Sequence, residues 1–463
     1  MIYLKFLRQT GEILHVFDTF GLIYFFLMNS FFALLIVLSF PQIYRRFVEL
    51  RIEGMDHLLT SEALPPISVL VPVYNEEKTI KDSIHALIDL AYARKEVIIV
   101  NDGSTDSSLE TLIKEFEMVE VPQLFPIRVP SKTIKKLYRS NLFSNLLLVD
   151  KENGGKGDSL NAGMNFSSLP LFMAMDSDTV IEKDALLRMI RPFITRKNVV
   201  AEGGTIRILN GCKVEKGKIL ETGIPKNHLA GIQVGEYLRA FLYGRLGWNA
   251  LGGNFIVSGA FGLFDREKVI EIGGYKTDTV GEDFEISVRL LYHFRKKGEK
   301  AFIGFVPDPV AWTDVPEDLK TLGMQRERWQ RGLIDILWKY RRMVFNPTYG
   351  LTGSVAMPYL LFGELLQPLF ELLYYLFIII GLIFGIVPLR FMLLFLGVTM
   401  GISFILTISA VAMEMLTFRR YNKFSGILRL FFYAIIENFG YRQCYLFWKL
   451  WAFKKYFRKD LSW

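Results

Sequence analysis

The stretch Leu171–Val180, LFMAMDSDTV, decides the fold. An apolar run ends abruptly in two aspartates separated by one serine. A short apolar run followed by turn chemistry predicts a buried strand. Its C-terminal tip would hold Asp176 and Asp178 together at a sheet edge. Two ionised carboxylates so close repel each other, an arrangement that makes sense if a divalent cation lies beside them. Mg2+ commonly takes one or two carboxylates, several waters and the phosphates of a substrate. Taken alone, the same D-x-D would equally serve as a turn that ends the strand and caps a helix starting near Glu182.

Working outward, Ile67–Tyr74 (ISVLVPVY), Glu96–Val100 (EVIIV) and Leu146–Val149 have the same strand character. Each ends in polar or acidic residues: Asn75 and Glu76, Asn101 and Asp102, and Asp150. Asn75 is placed to cap a helix running to about Leu90. Strands alternating with helices predict an α/β, Rossmann-like domain with a mainly parallel sheet, its ligands bound outside the strand C-termini. Leu109–Asn145 is longer than a usual connection. With Lys132, Lys135, Lys136 and Arg139, it reads as a solvated, partly basic surface excursion.

Composition sets this domain in a membrane context. Of the 463 residues, 51% are hydrophobic, and mean hydropathy is +0.27, too apolar for an ordinary soluble enzyme. The net charge of +8 comes from basic residues flanking apolar spans, not from one long basic tract. Positive-inside topology, anionic lipid and an anionic substrate explain it better than nucleic acid. Two cysteines, Cys212 and Cys444, leave no disulfide framework and no zinc site.

Phe20–Phe40 runs 21 residues without a charge and is followed by Arg45, Arg46 and Arg51. About 20 residues span a bilayer, so this is an anchor that places the following domain in the cytoplasm. Leu319–Phe345 mixes Arg, Trp and aliphatic residues at helical spacing and suits a headgroup-level helix with its apolar face in lipid. Leu372–Leu389 and Phe391–Met413 are further charge-free spans. Aromatic Gly426–Phe457, broken by charges, predicts surface-lying or re-entrant helices. The expected divisions are 1–62 with one span (about 20–40), 63–315 as the catalytic domain, 316–350 as interface helices, and 351–463 as a hairpin (about 362–389 and 391–413) plus interfacial or re-entrant helices. The expected location is the cell membrane, multi-pass.

Three further constellations carry chemistry. Gly154-Gly155-Lys156-Gly157 would let backbone amides and one ammonium approach phosphate. It is not a Walker A loop, and a plain turn reads the sequence equally well. Gly281-Glu282-Asp283-Phe284-Glu285 opens a helix, where acidic residues often only complement the dipole. Asp283 is also suited to deprotonate an attacking hydroxyl. In Gln325-Arg326-Glu327-Arg328-Trp329, Arg328 can grip phosphate bidentately and Trp329 can stack on a sugar.

Taken in order, these pieces resemble the inverting family 2 glycosyltransferases of GT-A fold. The nearest likeness is to the membrane-embedded processive branch of cellulose, chitin, hyaluronan and poly-N-acetylglucosamine synthases. The matching segments are VPVYNEE (Val71–Glu77), NDGSTD (Asn101–Asp106), NGGKGDSLNAG (Asn153–Gly163), MDSDT (Met175–Thr179), SGAFGLF (Ser258–Phe264), GEDFE (Gly281–Glu285) and QRERW (Gln325–Trp329). The resemblance implies a UDP-sugar donor bound through Asp102, Glu76, Lys156 and Asp176, and a Mg2+ or Mn2+ ion on Asp176 and Asp178. It implies Asp283 as general base beside Glu282, with Gln325, Arg328 and Trp329 over the diphosphate and acceptor. Ser258, Gly259 and Ala260 would line the acceptor side. The acceptor would be a growing polysaccharide, with an export or accessory protein as partner, or alternatively a membrane lipid. A nucleotide-sugar-binding membrane sensor is the remaining alternative. Asn101 stands where many relatives have aspartate, and Gly281 replaces the common threonine. A single N-terminal span, against two in many relatives, puts a complete export channel in doubt.

Glu364, Gln367, Pro368 and Glu371 fall on one helix face. Carboxylates at membrane depth usually face protein or water, so the stripe reads either as the border of a hydrophilic path for the sugar chain or as an interfacial helix start touching the catalytic domain.

Overall fold

The computed structural model describes residues 2–52, 64–123, 126–385, 388–421 and 423–458; in the first helix, side chains are described over 19–46. The expected division between residues 62 and 63 lies outside the described residues. The strands are β1 (Ile67–Val73), β2 (Lys95–Asn101), β3 (Met118–Val121), β4 (Ile134–Ser140), β5 (Leu146–Lys151), β6 (Leu171–Met175), β7 (Val180–Ile181), β8 (Val199–Ile208), β9 (Lys213–Glu215), β10 (Lys218–Glu221), β11 (Phe261–Asp265) and β12 (Phe302–Thr313).

Ten of them form one sheet in the order β3-β4-β5-β2-β1-β6-β11-β8-β12-β7. The four central strands β5, β2, β1 and β6 are parallel. Their Val, Ile and Leu residues are buried on both faces, as a helix-covered parallel sheet requires. Val69 and Met173 face one core, and Leu70 and Phe172 the other. The register sets Val73 beside Asn101 and Asn101 beside Asp150, so the polar strand ends lie level at one edge.

Antiparallel strands flank this centre, a feature that the alternation of strands and helices did not reveal. β11 runs antiparallel between β6 and β8, with Phe261 opposite Met175. That pairing delivers Ser258–Ala260 to the tip of β6. β3 and β4 extend the sheet at β5. The 109–145 excursion is therefore partly sheet edge, though Lys132, Lys135, Lys136 and Arg139 do face solvent. Asn75 does not cap the helix Ile80–Ile88. At φ +58° it turns away, and its Oδ1 accepts the Thr105 amide at 2.8 Å, tying the β1 tip to the β2 turn.

One buried group is out of keeping with its surroundings. Glu202, in β8, is wholly buried, and both its oxygens find no hydrogen-bond partner among the described residues. Burial holds its pKa well above the usual carboxylate range, opposed only weakly by Arg196.

Among the described residues, two helices are long and apolar enough to cross a membrane, Thr19–Arg46 and Met400–Thr417. Thr352–Leu365 and Gln367–Ile383, bent by 40° at their junction, would make a third. The first helix and the helix Leu389–Thr417 are each ion-paired to the sheet. Arg46 Nε and Nη2 reach the Asp308 carboxylate of β12 at 2.7 and 3.2 Å, and Arg207 of β8 pairs with Glu414. The helix Leu319–Lys339 does not leave its apolar face to lipid. It packs on the helix Arg442–Phe457, where Gly323 gives room to Trp448 and Lys455 reaches Glu327 at 3.0 Å. The polar stripe is also internally paired. Tyr359 donates to Glu364 at 2.8 Å, Gln367 to Glu371 at 3.0 Å, and Lys449 to the Gln367 oxygen at 3.2 Å.

Candidate active site

The level strand ends and the first turns of two helices make one cleft. Helix Lys156–Phe166 follows β5 after a turn in which Gly155 adopts φ +83°, a left-handed conformation suited to glycine. From its first turn, Lys156 Nζ pairs with Asp176 at the end of β6 and donates to the Gly259 carbonyl at 2.8 Å. Helix Glu282–Lys296 points its own first turn at the same place. Asp283 Oδ2 accepts the Gly259 amide at 2.8 Å, and Oδ1 accepts the Phe284 amide at 2.8 Å. Lys156, Ser258, Gly259, Tyr275, Glu282 and Asp283 line a common cavity.

The charges in this cleft act on one another. Burial works against the Lys156 ammonium, but Asp176, Glu282 and Asp283 outweigh it and hold its pKa above the ordinary lysine value. Asp178 reaches the surface of the cleft yet is pushed up to about 6, by loss of solvent first and then by Asp176 and Glu76. Glu282 is raised by burial and by Asp283, against the pull of Lys156 and Arg328. Glu76 thus stands near the β6 tip, as its sequence position suggests. Negative charge exceeds positive here, which suits an incoming cation.

Helix Leu319–Lys339 closes the other side. It meets the start of helix Glu282–Lys296 glycine to glycine: a Cβ at Gly281 would lie 3.4 Å from Gly332 Cα. This crossing brings Arg328 within electrostatic reach of Glu282. Trp329 is 45% exposed, with the Arg326 guanidinium 4.4 Å from its ring centre. The Gln325 side-chain oxygen is buried without a partner among the described residues.

Asp102 is the exception to the expected pattern. It is buried, and its carboxylate is engaged by Lys151 at 2.5 Å and by the amides of Gly154 and Gly155 at 2.9 and 2.8 Å. It organises the glycine turn directly, leaving Oδ2 with capacity for one more donor. Two residues near the cleft carried no motif. Lys151 is one. Arg245 is the other: burial pushes it down to about 10, against the attraction of Asp283, and its Nη1 donates to the Ile256 carbonyl at 2.8 Å. A basic residue at the end of a strand, or one of two arginines in a largely apolar helical stretch, was the only signal available.

The glycosyl transferase family group 2 pattern matches residues 171–416, more than half of the chain, and the glycosyl transferase family 2 pattern matches residues 68–135. The chain belongs to this family. The glycosyltransferase is 31% identical over 278 residues to the poly-beta-1,6-N-acetyl-D-glucosamine synthase of Staphylococcus aureus (strain COL), covering 60% of this chain and 56% of that protein. It is 30% identical over 273 residues to the synthase of the same name from Staphylococcus epidermidis, covering 58% and 55%. The matches thus span little more than half of these relatives. Among solved structures it resembles the mannosyltransferase PcManGT from Pyrobaculum calidifontis, in complex with GDP-Man and Mn2+. The TM-score is 0.50 at 16% identity, over 90% of this chain and 99% of that one. This last likeness shows that the glycosyltransferase shares the fold, GT-A, with its mixed sheet and parallel centre.

Proposed function

We propose that this glycosyltransferase moves a sugar from a UDP donor to a hydroxyl of a growing β-linked polysaccharide, with inversion, at the cytoplasmic face of a membrane. N-acetylglucosamine is the favoured sugar, because the staphylococcal relatives are named as synthases of its polymer. Repeated extension and coupling to export belong to the same reading, supported by helices apolar enough to span a bilayer.

The observation that carries it is the meeting of Asp283, Gly259, Lys156 and Asp176 in one cleft. Displacement at a sugar's anomeric carbon needs a base on the acceptor side and positive charge beside the leaving diphosphate. Asp283 takes the proton of the acceptor hydroxyl as its oxygen attacks the anomeric carbon. The bond to the diphosphate breaks, and the diphosphate leaves with that electron pair. The amides of Gly259 and Phe284 hold the base in orientation and leave lone pairs for the proton. Lys156 and Arg328 stabilise the departing charge, so no acid is needed on that side.

Mg2+ or Mn2+ would suit this cleft, because loss of solvent and then the neighbouring Asp176 and Glu76 make the Asp178 charge costly, and a cation would offset it. Asp176 and Asp178 would hold the ion, which supplies charge neutralisation of the diphosphate when bound.

The test is purified protein in nanodiscs with a panel of radiolabelled UDP-sugars and either ion. High-molecular-weight product from one donor is expected and would name the sugar. A small, lipid-extractable product would transfer the protein to lipid glycosylation. No turnover with any donor would overturn the reading.

A further inference from the structure

We infer that Lys151 is a positioning residue of the donor site: its buried ammonium fixes Asp102 and, through it, the glycine turn that presents Lys156. The inference rests on the UDP-donor reading above. Lys151 ends β5 and its side chain has no exposed surface. Nζ lies 2.5 Å from Asp102 Oδ1, 2.7 Å from Asp158 Oδ1 and 2.7 Å from the Glu152 carbonyl, which occupies all three ammonium donors.

The two carboxylates extend the lock in different directions. Asp102 receives the Gly154 and Gly155 amides. Asp158, in the first turn of helix Lys156–Phe166, receives the Lys132 amide at 3.0 Å. Its Oδ1 would stand 2.5 Å from a Cβ at Gly154, so no side chain fits there without a shift. One cation therefore joins the β2 tip, the β5 end, the glycine turn and the helix start. Two buried carboxylates would repel without it, and breaking a buried ion pair leaves an uncompensated charge. Lys151 reaches none of the residues expected to hold the metal ion. Its effect on the donor passes through the turn.

Lys151→Met is the direct test. Should that variant fail to fold, Lys151→Met/Asp158→Asn keeps the same buried net charge and replaces it in every measurement. In folded variant protein, UDP affinity should fall roughly 10- to 100-fold, the scale of a lost charge-assisted bond. Donor KM should rise more than kcat falls, whereas loss of folded protein alone would leave KM unchanged. Without nucleotide, the amides of residues 153–157 should exchange with deuterium faster than in the wild type. Unchanged UDP affinity together with unchanged exchange would overturn the inference. If wild-type protein itself binds no UDP, the donor reading fails, and the exchange measurement, which needs no nucleotide, still decides the role of Lys151.

Discussion

Asp283 Oδ2 accepts the Gly259 amide at 2.8 Å, tying the first turn of a helix to the segment entering β11. An asparagine keeps one acceptor oxygen for the Gly259 amide and gives up only the contact with the neighbouring Phe284 amide. Asp283→Asn should therefore fold normally and bind UDP, yet lose transfer by about 10²–10⁴-fold, the range for a general base. Turnover of labelled donor, compared with UDP binding on the same preparation, checks this.

Lys156 sits between Asp176 and the Gly259 carbonyl, joining the acidic tip of β6 to the segment that enters β11. Lys156→Met should weaken donor affinity roughly 10- to 100-fold, since a hydrogen bond to a charged group contributes about 1.5–3 kcal/mol. Donor KM from initial rates is the measurement. An unchanged KM would remove Lys156 from the diphosphate site.

The contact between Gly281 and Gly332 has room for one methyl group and little more. Gly332→Ala should be nearly neutral. Gly332→Val should push Arg328 and Trp329 away from Glu282 and Asp283 and lower kcat/KM by about tenfold or more, with the helix itself kept. Activity assays paired with circular dichroism separate displacement from unfolding.

Glu202 supplies a pH test. Its folded pKa is raised by burial, so the native state holds this proton more tightly than the unfolded chain does. Stability from this group is complete below the ordinary carboxylate range and is lost as pH rises above it. Glu202→Gln should flatten that slope and raise Tm at pH 8 by a few degrees relative to wild type. Thermal unfolding at pH 5 and pH 8 would reveal it, and equal slopes in both proteins would refute the assignment.

Much of the framework was legible because it repeats. β1, β2, β5 and β6 are apolar runs ending in polar residues, and the parallel register turns four separate endings into one edge. β11 was hidden in SGAFGLF, whose glycines and serine weaken any strand pattern and whose antiparallel direction no local feature encodes. Asn75 follows a strand and precedes a helix, which suggests a cap. Only its positive φ shows that the side chain turns to Thr105 instead. Lys151 and Arg245 were invisible for a different reason. Each owes its link to the cleft to one carboxylate far away in sequence, Asp102 or Asp283, and a single basic residue carries no period. The polar stripe at Glu364 was readable as a face, but its pairing with Lys449 depends on how the last helix returns.

The Arg46–Asp308 pair bears on what can be cut from this protein. Asp308 lies in β12, and its carboxylate is 2% exposed. Starting the chain at residue 64 would strand that charge in the interior, and ending it before Glu414 would do the same to Arg207. The apolar helices are thus not detachable tethers for a free-standing enzyme. They provide counter-charges to groups buried in the sheet, so a fragment lacking them is expected to lose stability.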